Sequence, residues 1–561
     1  MIWLRLTGGR VRRTFPASLL KGIPMKASIA LCALLVTSAA VTAVPASAGM
    51  LDTRIVPPAV AQHGATLVGR VDPSVHLRLQ VVLPMRDLAG LRSLLDDQIY
   101  NPHSVLFRHY LSVAQFTKRF GPAKSDYDAA VKFFSDRGLA VTHTYANRYL
   151  FQVEGAASDI ERVLNIELNL YRHPTEDRIF MAPDREPTLA LGVPVLSITG
   201  LDTFQLPVPR LLRSPDGTRS GTGSGPDGNF IGSDFRAAYY GTGRKARLTG
   251  KGQSVGLMEL EGYIPGDIPL YFATFNQPLN VPVNGISVDG TKVDCGHCND
   301  GEQTLDIDYA ISMAPGLDQV QVYVAKDPVA IEERMASDDT SKQLSTSWGY
   351  SKNFAVEDPI YQEMAAQGQS WFTASGDNKT LKKSLPWPEE DANIIAVGGT
   401  DLVTNGPGGS WKSEPGWKYS AAGPSLDKKI VIEPYQLPYI NAENLGSTVL
   451  RNVADVSANA DFDMMVCAKG TCQGGWGGTS FSSPMWAGFA ALANQQATNE
   501  GKPEIGFVSP ILYPAYATNP KMTHDIIGHA SGKFPAVKGY DLVGGLGSPR
   551  GGNTIKILVG D

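Results

Sequence analysis

Ser480 sits in Gly477-Gly478-Thr479-Ser480-Phe481-Ser482-Ser483-Pro484, followed by an apolar run at helical spacing: Met485, Trp486, Phe489, Ala490, Leu492 and Ala493. Glycine allows a sharp turn and a close approach of the backbone to whatever docks there. A helix starting at this point places the hydroxyl at an N-terminus, where free N–H groups favour developing negative charge. Those are the conditions of a nucleophilic serine, although a serine N-cap on a glycine-rich turn has the same short signature. A second feature lies in Gly301-Glu302-Gln303-Thr304-Leu305-Asp306-Ile307-Asp308-Tyr309-Ala310. Glu302 and Asp306 are four apart, which puts both carboxylates on one face of a helix. Buried together they would share a proton, one pKa rising and the other falling. Such a pair can act as general base for a serine at acid pH, where histidine is already protonated. Exposed at a helix N-terminus, the same acids would only complement the dipole. Histidine is poorly supplied: past residue 229 the chain has His297, between two cysteines, and His524 and His529 in a glycine-rich stretch. A Ser-His-Asp triad stays open, because triads are defined by geometry and not by order.

Two further groups have ligand or redox potential. Asp525-Ile526, Gly539-Tyr540-Asp541 and Gly544–Gly547 offer two carboxylates and accessible carbonyls, donors that suit calcium. A glycine-rich surface loop would look the same. Cys295/Cys298 and Cys467/Cys472 form two close pairs, and Cys32 lies near the N-terminus. Cys32 lies within the expected export signal, and in an exported chain the remaining even count of four favours disulfides, with connectivity open. A four-thiolate zinc site and a C-x-x-C redox site are the competing readings.

The elements that must position these residues follow from the pattern of the whole chain. A length of 561 residues predicts two or more domains, and 43% hydrophobic with 19% charged residues is globular composition. The formal charge of -5 gives no reason to expect nucleic acid. Met25-Lys26, the apolar Ala27–Val44 and Ala46-Ser47-Ala48 read as an export signal with cleavage before Gly49 and a start at Met25. Secretion is therefore expected, with no membrane contact once residues 1–48 are removed. Residues 70–205 predict an α+β two-layer domain: a strand at Leu77–Leu83, helices at Leu88–Asp96 and at Ser125–Arg137 with Ser125 as N-cap, a hairpin over Ala140–Tyr145 and Tyr149–Val153, and a helix at Ala157–Leu164. Pro207–Asn229, dense in Gly, Ser, Pro and Arg, reads as an exposed, protease-sensitive linker. From Gly232 onward, short apolar strands (Ser254–Leu260, Val320–Ala325, Gln343–Ser347, Trp371–Ala374, Ile394–Val397) alternate with helices such as Gln303–Met313 and Glu357–Gln367. That alternation predicts a doubly wound parallel sheet with its site at the carboxyl ends of the strands. Ser480, Asp377 and Trp348 all fall just past a strand or in a turn.

From about residue 72 onward the chain resembles the sedolisins, or serine-carboxyl peptidases, preceded by a prokumamolisin-type activation prodomain. The E-x-x-x-D of the family's helix matches Glu302 and Asp306, and its G-T-S-x-x-x-P matches Ser480 with Pro484. The A-S-G-D segment matches Ala374-Ser375-Gly376-Asp377, and the accessory acid network matches Glu259 and the Trp348 of S-W-G. Tyr110-Leu111-Ser112, Gln115-Phe116 and Phe120-Gly121-Pro122 carry the looser prodomain match. The resemblance implies a subtilisin-like catalytic domain at 230–561, a prodomain at 49–206 acting as intramolecular inhibitor, and a processing linker at 207–229. It implies a self-processing, acid-active endopeptidase acting as a monomer on proteins or peptides. Ser480 would be nucleophile, Glu302 base, Asp306 its tuning partner and Asp377 the protonated oxyanion donor. It also implies one structural calcium at Asp525, Ile526, Val537, Gly539 and Asp541, with Val537 where glycine is usual. The oxyanion segment departs from the family in continuing Gly376-Asp377-Asn378-Lys379, with Lys382 and Lys383 beyond. The reading from a different class is an inactive secreted binding protein on the same fold; the filled catalytic positions argue against it.

Overall fold

Seven short strands rich in Val, Ile, Leu and Phe form one wholly parallel sheet: β1 (Ser254–Glu259), β2 (Val283–Ser287), β3 (Gln319–Val324), β4 (Gln343–Thr346), β5 (Ser370–Ala374), β6 (Ile395–Thr400) and β7 (Val456–Asn459), in the order β2-β3-β1-β4-β5-β6-β7. The computed structural model describes residues 49–50, 54–214, 221–243, 246–381 and 387–560, so the export signal and Lys382 and Lys383 lie outside it. Strands β4 to β7 are almost entirely buried, which is why their sequences are continuous and not alternating. Parallel pairing needs crossovers, and helices supply several of them. Helix α1 (Gly301–Met313) runs into β3, and α2 (Phe354–Ala366) joins β4 to β5. Helix α3 (Thr479–Asn499) follows β7 and lies against α1 and the sheet. A Cβ on Gly488 would fall 2.8 Å from Met313 Cβ and 2.9 Å from the Ala310 carbonyl, so glycine lets α3 approach α1 this closely.

The segment before residue 205 is an antiparallel sheet of His76–Val82, Leu150–Ala156, Ala140–Thr144 and Ser197–Thr199. Helices Lys124–Asp136 and Ala157–Leu164 share its core, which includes Leu79, Val81, Phe134, Phe151, Val153 and Ile160. The expected hairpin and helix at 157–164 are present. Ser125 is not an N-cap: the helix starts at Lys124, its N-cap is Ala123, and no side chain caps it. This unit rests on α2 through the Tyr149 hydroxyl to the Val356 carbonyl (2.7 Å), Asn147 Nδ2 to Glu363 (2.9 Å) and the Tyr100 hydroxyl to the Ala365 carbonyl (2.7 Å).

Two expectations gain detail or need correction. The cysteines form disulfides within each couple, Cys295–Cys298 and Cys467–Cys472. The stretch Pro207–Asn229 is not simply an exposed linker in its described part. Val208–Pro209 pairs antiparallel with Trp348–Gly349, Leu212–Arg213 pairs with Trp476–Gly477, and the Arg210 side chain is buried. Its composition cannot build a core, but edge pairing satisfies its backbone, and Asp234 caps Ser224 through both the amide (2.9 Å) and the hydroxyl (2.5 Å).

Candidate active site

Five chain segments meet at the carboxyl edge of the sheet. Glu259 ends β1, Glu302 and Asp306 lie on the first turns of α1, and Ser347 and Trp348 follow β4. Asp377 follows β5, and Ser480 is the second residue of α3. The N-cap of α3 is Gly478, at a φ of 131°, so Ser480 itself caps nothing. Ser480 and Asp306 are completely buried, and Glu302 and Asp377 nearly so.

The acids form a chain. Trp348 Nε1 donates to Glu259 (2.9 Å), and the Glu259 and Asp306 carboxyls lie close enough to influence each other's titration. The Ser347 hydroxyl lies 2.7 Å from Asp306 and 3.1 Å from the Ser480 carbonyl oxygen, which ties the acid cluster to the start of α3. Burial raises the pKa of Glu302 well above the ordinary range; the Glu259 and Asp377 charges add to this, while the Ser480 hydroxyl and the Leu211 amide oppose it. Burial likewise raises Asp306, reinforced by the charges of Glu259 and Glu302, and pushes Glu259 up to about 8. Carboxyls this close cannot all ionise, so the cluster keeps shared protons at a pH where isolated carboxylates have lost them. The Ser480 hydroxyl and both Glu302 oxygens make no fully formed hydrogen bond among the described residues. Contacts of that looseness tighten when a reacting group enters.

Asp377 is arranged differently. Its Oδ1 accepts from the Thr479 amide and hydroxyl, both at 2.8 Å, and Gly376 N–H donates to the same hydroxyl (3.0 Å). Its Oδ2 is buried without a partner among the described residues. Burial pushes its pKa up to about 6, against the Thr479 bonds and the Arg210 charge. A carboxyl with one oxygen saturated and the other open places its proton on the open oxygen, as a donor.

The chain's own segment 208–213 crosses this site. A Cβ on Gly478 would overlap the Arg210 carbonyl oxygen and lie 2.9 Å from Asp377 Oδ2, so the carbonyl and the open carboxyl oxygen flank one small space. The Arg210 amide donates to the Ser347 carbonyl (2.9 Å), and Arg210 Nη2 reaches buried Glu389 at 3.1 Å.

Known proteins resemble this chain in sequence and fold. Residues 63–204 match the pro-kumamolisin activation domain, and residues 312–511 match the subtilase family. Xanthomonalisin of Xanthomonas sp. (strain T-22) is 26% identical over 84% of this chain, which spans 64% of that relative. Sedolisin of Pseudomonas sp. (strain 101) is 25% identical over 83% of this chain and 84% of its own length. The chain is similar to the sedolisin-type serine-carboxyl peptidases, with a pro-kumamolisin activation domain ahead of a subtilase-family peptidase domain. Rat tripeptidyl-peptidase 1 is 24% identical over 88% of this chain and 94% of its own length. The solved Pseudomonas sedolisin complexed with two molecules of pseudo-iodotyrostatin aligns at a TM-score of 0.51 and 23% identity, covering 60% of this chain and 98% of its own; it shows the shared fold.

Against the family pattern, the structure brings Ser480, Glu302, Asp306, Asp377, Glu259 and Trp348 together. His297, His524 and His529 are not among the groups in contact with Ser480 or Glu302, and His524 stacks on Trp411 with ring centroids 4.1 Å apart. Reading the sedolisin motifs alone missed Ser347, although it is the serine of S-W-G, and Thr479, although it is the threonine of G-T-S. It also missed Glu389 and the docked segment, for which no short motif exists.

The loop assigned to calcium by the sedolisin resemblance is closed on itself. Gly539 N–H donates to both Asp525 oxygens at 3.1 and 3.2 Å. The amides of Val543 and Gly544 donate to Asp541 Oδ1 (2.8 Å each), and Val537 N–H donates to Oδ2 (3.1 Å). Asp541 is fully buried and pushed up to about 8, by burial first and in part by the Asp525 charge. Two facing carboxyls in a loop rich in carbonyls fit a hard dication. Val537, the departure from glycine, does not adopt a positive φ, so its carbonyl can serve without strain. Asp401, Asp461 and Asp463 form a separate acidic group that could hold a metal ion, with one oxygen of each within 4.8 Å of the others.

Proposed function

We propose that this chain is the precursor of a secreted, acid-active serine-carboxyl endopeptidase that processes itself. The observation that carries the reading is the convergence of Ser480, Glu302 and Asp377 where the chain's own segment passes, the Arg210 carbonyl beside the open oxygen of Asp377 and the Leu211 amide facing Glu302. Ser480 attacks the scissile carbonyl while Glu302 takes its proton and passes it to the leaving amine. Asp306, with Glu259 and Trp348 behind it, holds and tunes Glu302. Asp377, protonated below about pH 6, donates to the tetrahedral oxyanion; ionised, it would repel that charge. Water then splits the acyl-enzyme with Glu302 again as base.

Residues 49–206 are the activation prodomain, 207–229 the processing linker and 230–561 the catalytic domain. Endopeptidase action is supported by the docked segment, which runs on through Pro207 upstream and Ser214 downstream, so the cleft takes a chain with no free end nearby. One calcium ion, held by the carboxylates of Asp525 and Asp541 and the carbonyls of Ile526, Val537 and Gly539, would neutralise the facing acids and fix the loop that runs along β6 and β7. A chelator is expected to lower the melting temperature of the wild type and not that of Asp541→Asn; equal responses would remove calcium from this loop.

The deciding experiment is incubation of purified full-length precursor between about pH 3 and 5, the range in which carboxyls titrate. Conversion to a shorter form with activity on denatured protein, absent near pH 8, is expected. A wild-type precursor that stays whole and inert throughout would overturn the enzyme reading and leave the inactive binding protein.

A further inference from the structure

Apart from the catalytic acids, one buried ion pair joins the docked segment to the catalytic domain. Arg210 and Glu389 are both at least nine-tenths buried, with Arg210 Nη2 donating to Glu389 Oε1 at 3.1 Å. Glu389 sits on a loop held beside the end of β4 by Tyr350 N–H to the Trp387 carbonyl (3.1 Å). Its other oxygen has no hydrogen-bond partner among the described residues. Neighbouring Glu390 has a cation of its own, Lys352 (3.2 Å), and also accepts from the Leu426 amide (2.6 Å). Gly349 makes room for the guanidinium, and Gly376 lines it at contact distance. A Cβ on Gly349 would overlap it, and one on Gly376 would lie 3.5 Å from Arg210 Cζ. The carbonyl of this same arginine is the one placed beside Asp377 Oδ2 and Gly478, and the amide of the next residue, Leu211, faces Glu302. Leu211 itself packs at Gly301, where a Cβ would meet its Cδ2 at 3.2 Å.

Resting on the proteolytic reading above, we propose that the maturation cut falls between Arg210 and Leu211, and that Glu389, Gly349 and Gly376 form a pocket selecting arginine just before the scissile bond. The Ser480 oxygen bonds to the Arg210 carbonyl carbon and the Arg210–Leu211 C–N bond breaks. The serine proton passes through Glu302 to the Leu211 nitrogen, which leaves as an amine. Water then cleaves the ester, leaving a carboxyl on Arg210 and a free Ser480. The guanidinium can donate to a Glu389 oxygen whether that carboxyl is ionised or neutral, so the pocket works at acid pH. After maturation Arg210 departs, and Glu389 is left as a buried acid whose natural guest is another arginine.

Two readouts test this. The first is sequencing of the new N-terminus after acid conversion, together with the relative kcat/KM for Val-Pro-Arg-Leu-Leu-Arg and for the same peptide with leucine in place of the first arginine. Leu211 as the new N-terminus and a preference for the arginine peptide of about tenfold or more are expected, and Glu389→Gln should cut that ratio severalfold. The second needs no catalysis: hydrogen exchange of the amides of residues 208 and 210–213 in full-length Ser480→Ala, which should quicken severalfold when Glu389→Gln or Gly349→Val is added. Another first N-terminus, or a ratio near one in active enzyme, overturns the assignment. An inert wild type whose exchange still quickens with Glu389→Gln upholds the pocket and overturns the proteolytic reading instead. Unchanged exchange in both variants overturns the pocket.

Discussion

Ser480→Ala is expected to lower kcat on a peptide substrate by about a millionfold, with Glu302→Gln approaching the same loss. A nucleophile and its base act as one unit, so the double variant should be scarcely worse than either single one. The structural basis is local. Helix α3 presents Ser480 one residue inside its N-terminus, and α1 presents Glu302 at the equivalent place in its own first turn. Glu302→Gln keeps size and polarity but cannot accept the serine proton. Single-turnover kinetics on acid-converted enzyme measure the loss. If the two single effects multiply in the double variant, the residues act independently and the shared proton path is wrong. Conversion of the variants would need added wild-type enzyme, since neither should process itself.

The second large effect concerns Asp377. Asp377→Ala should cost about 10² to 10³ in kcat, the usual cost of one oxyanion donor. Asp377→Asn should cost less, because its Oδ1 can still accept from Thr479 while Nδ2 donates where the acid proton was. The pH profiles separate donor from bystander. Burial holds Asp377 at about 6, so its donor form is complete well below that value and disappears as pH rises through it. An amide donates at every pH. The alkaline limb of the wild-type kcat profile should therefore lose its Asp377 component in Asp377→Asn. That limb staying where it is would sink the donor role, whatever the size of the rate loss.

Much of this site was legible because its residues fall in short ordered motifs. Glu302 and Asp306 at a spacing of four could only share a helix face, and Gly478-Thr479-Ser480 could only be a tight turn into a helix. The parallel sheet was legible from strands without alternation. What stayed hidden depended on partners far along the chain. Ser347 matters because β4 ends where α3 begins, a fact of packing with no local signature. The docking of 208–213 was masked by its composition: Pro, Arg and flanking Gly and Ser argue for loose chain, and only the free edges at Trp348 and Trp476 give those amides partners. The start of the helix at Lys124 instead of one residue on is a boundary error of the ordinary kind, since an Ala123 N-cap without a side-chain bond leaves no signal. Disulfide pairing was undecidable from four cysteines; the antiparallel turn that sets Cys467 opposite Cys472 decides it.

The strand through the cleft is part of the same chain as the cleft, fastened on both sides. Its encounter with Ser480 is therefore unimolecular, at an effective concentration in the millimolar range or above for short tethers, and dilution cannot slow it. If the chain processes itself as proposed, it keeps time by proton supply instead of by its own abundance. On that proposal, one molecule alone in a large volume would mature as promptly as a crowd. The product of the proposed cut would also be self-limiting: the severed N-terminal part would carry Arg210 as its new C-terminus, able to return to Glu389 until its own digestion or departure clears the cleft.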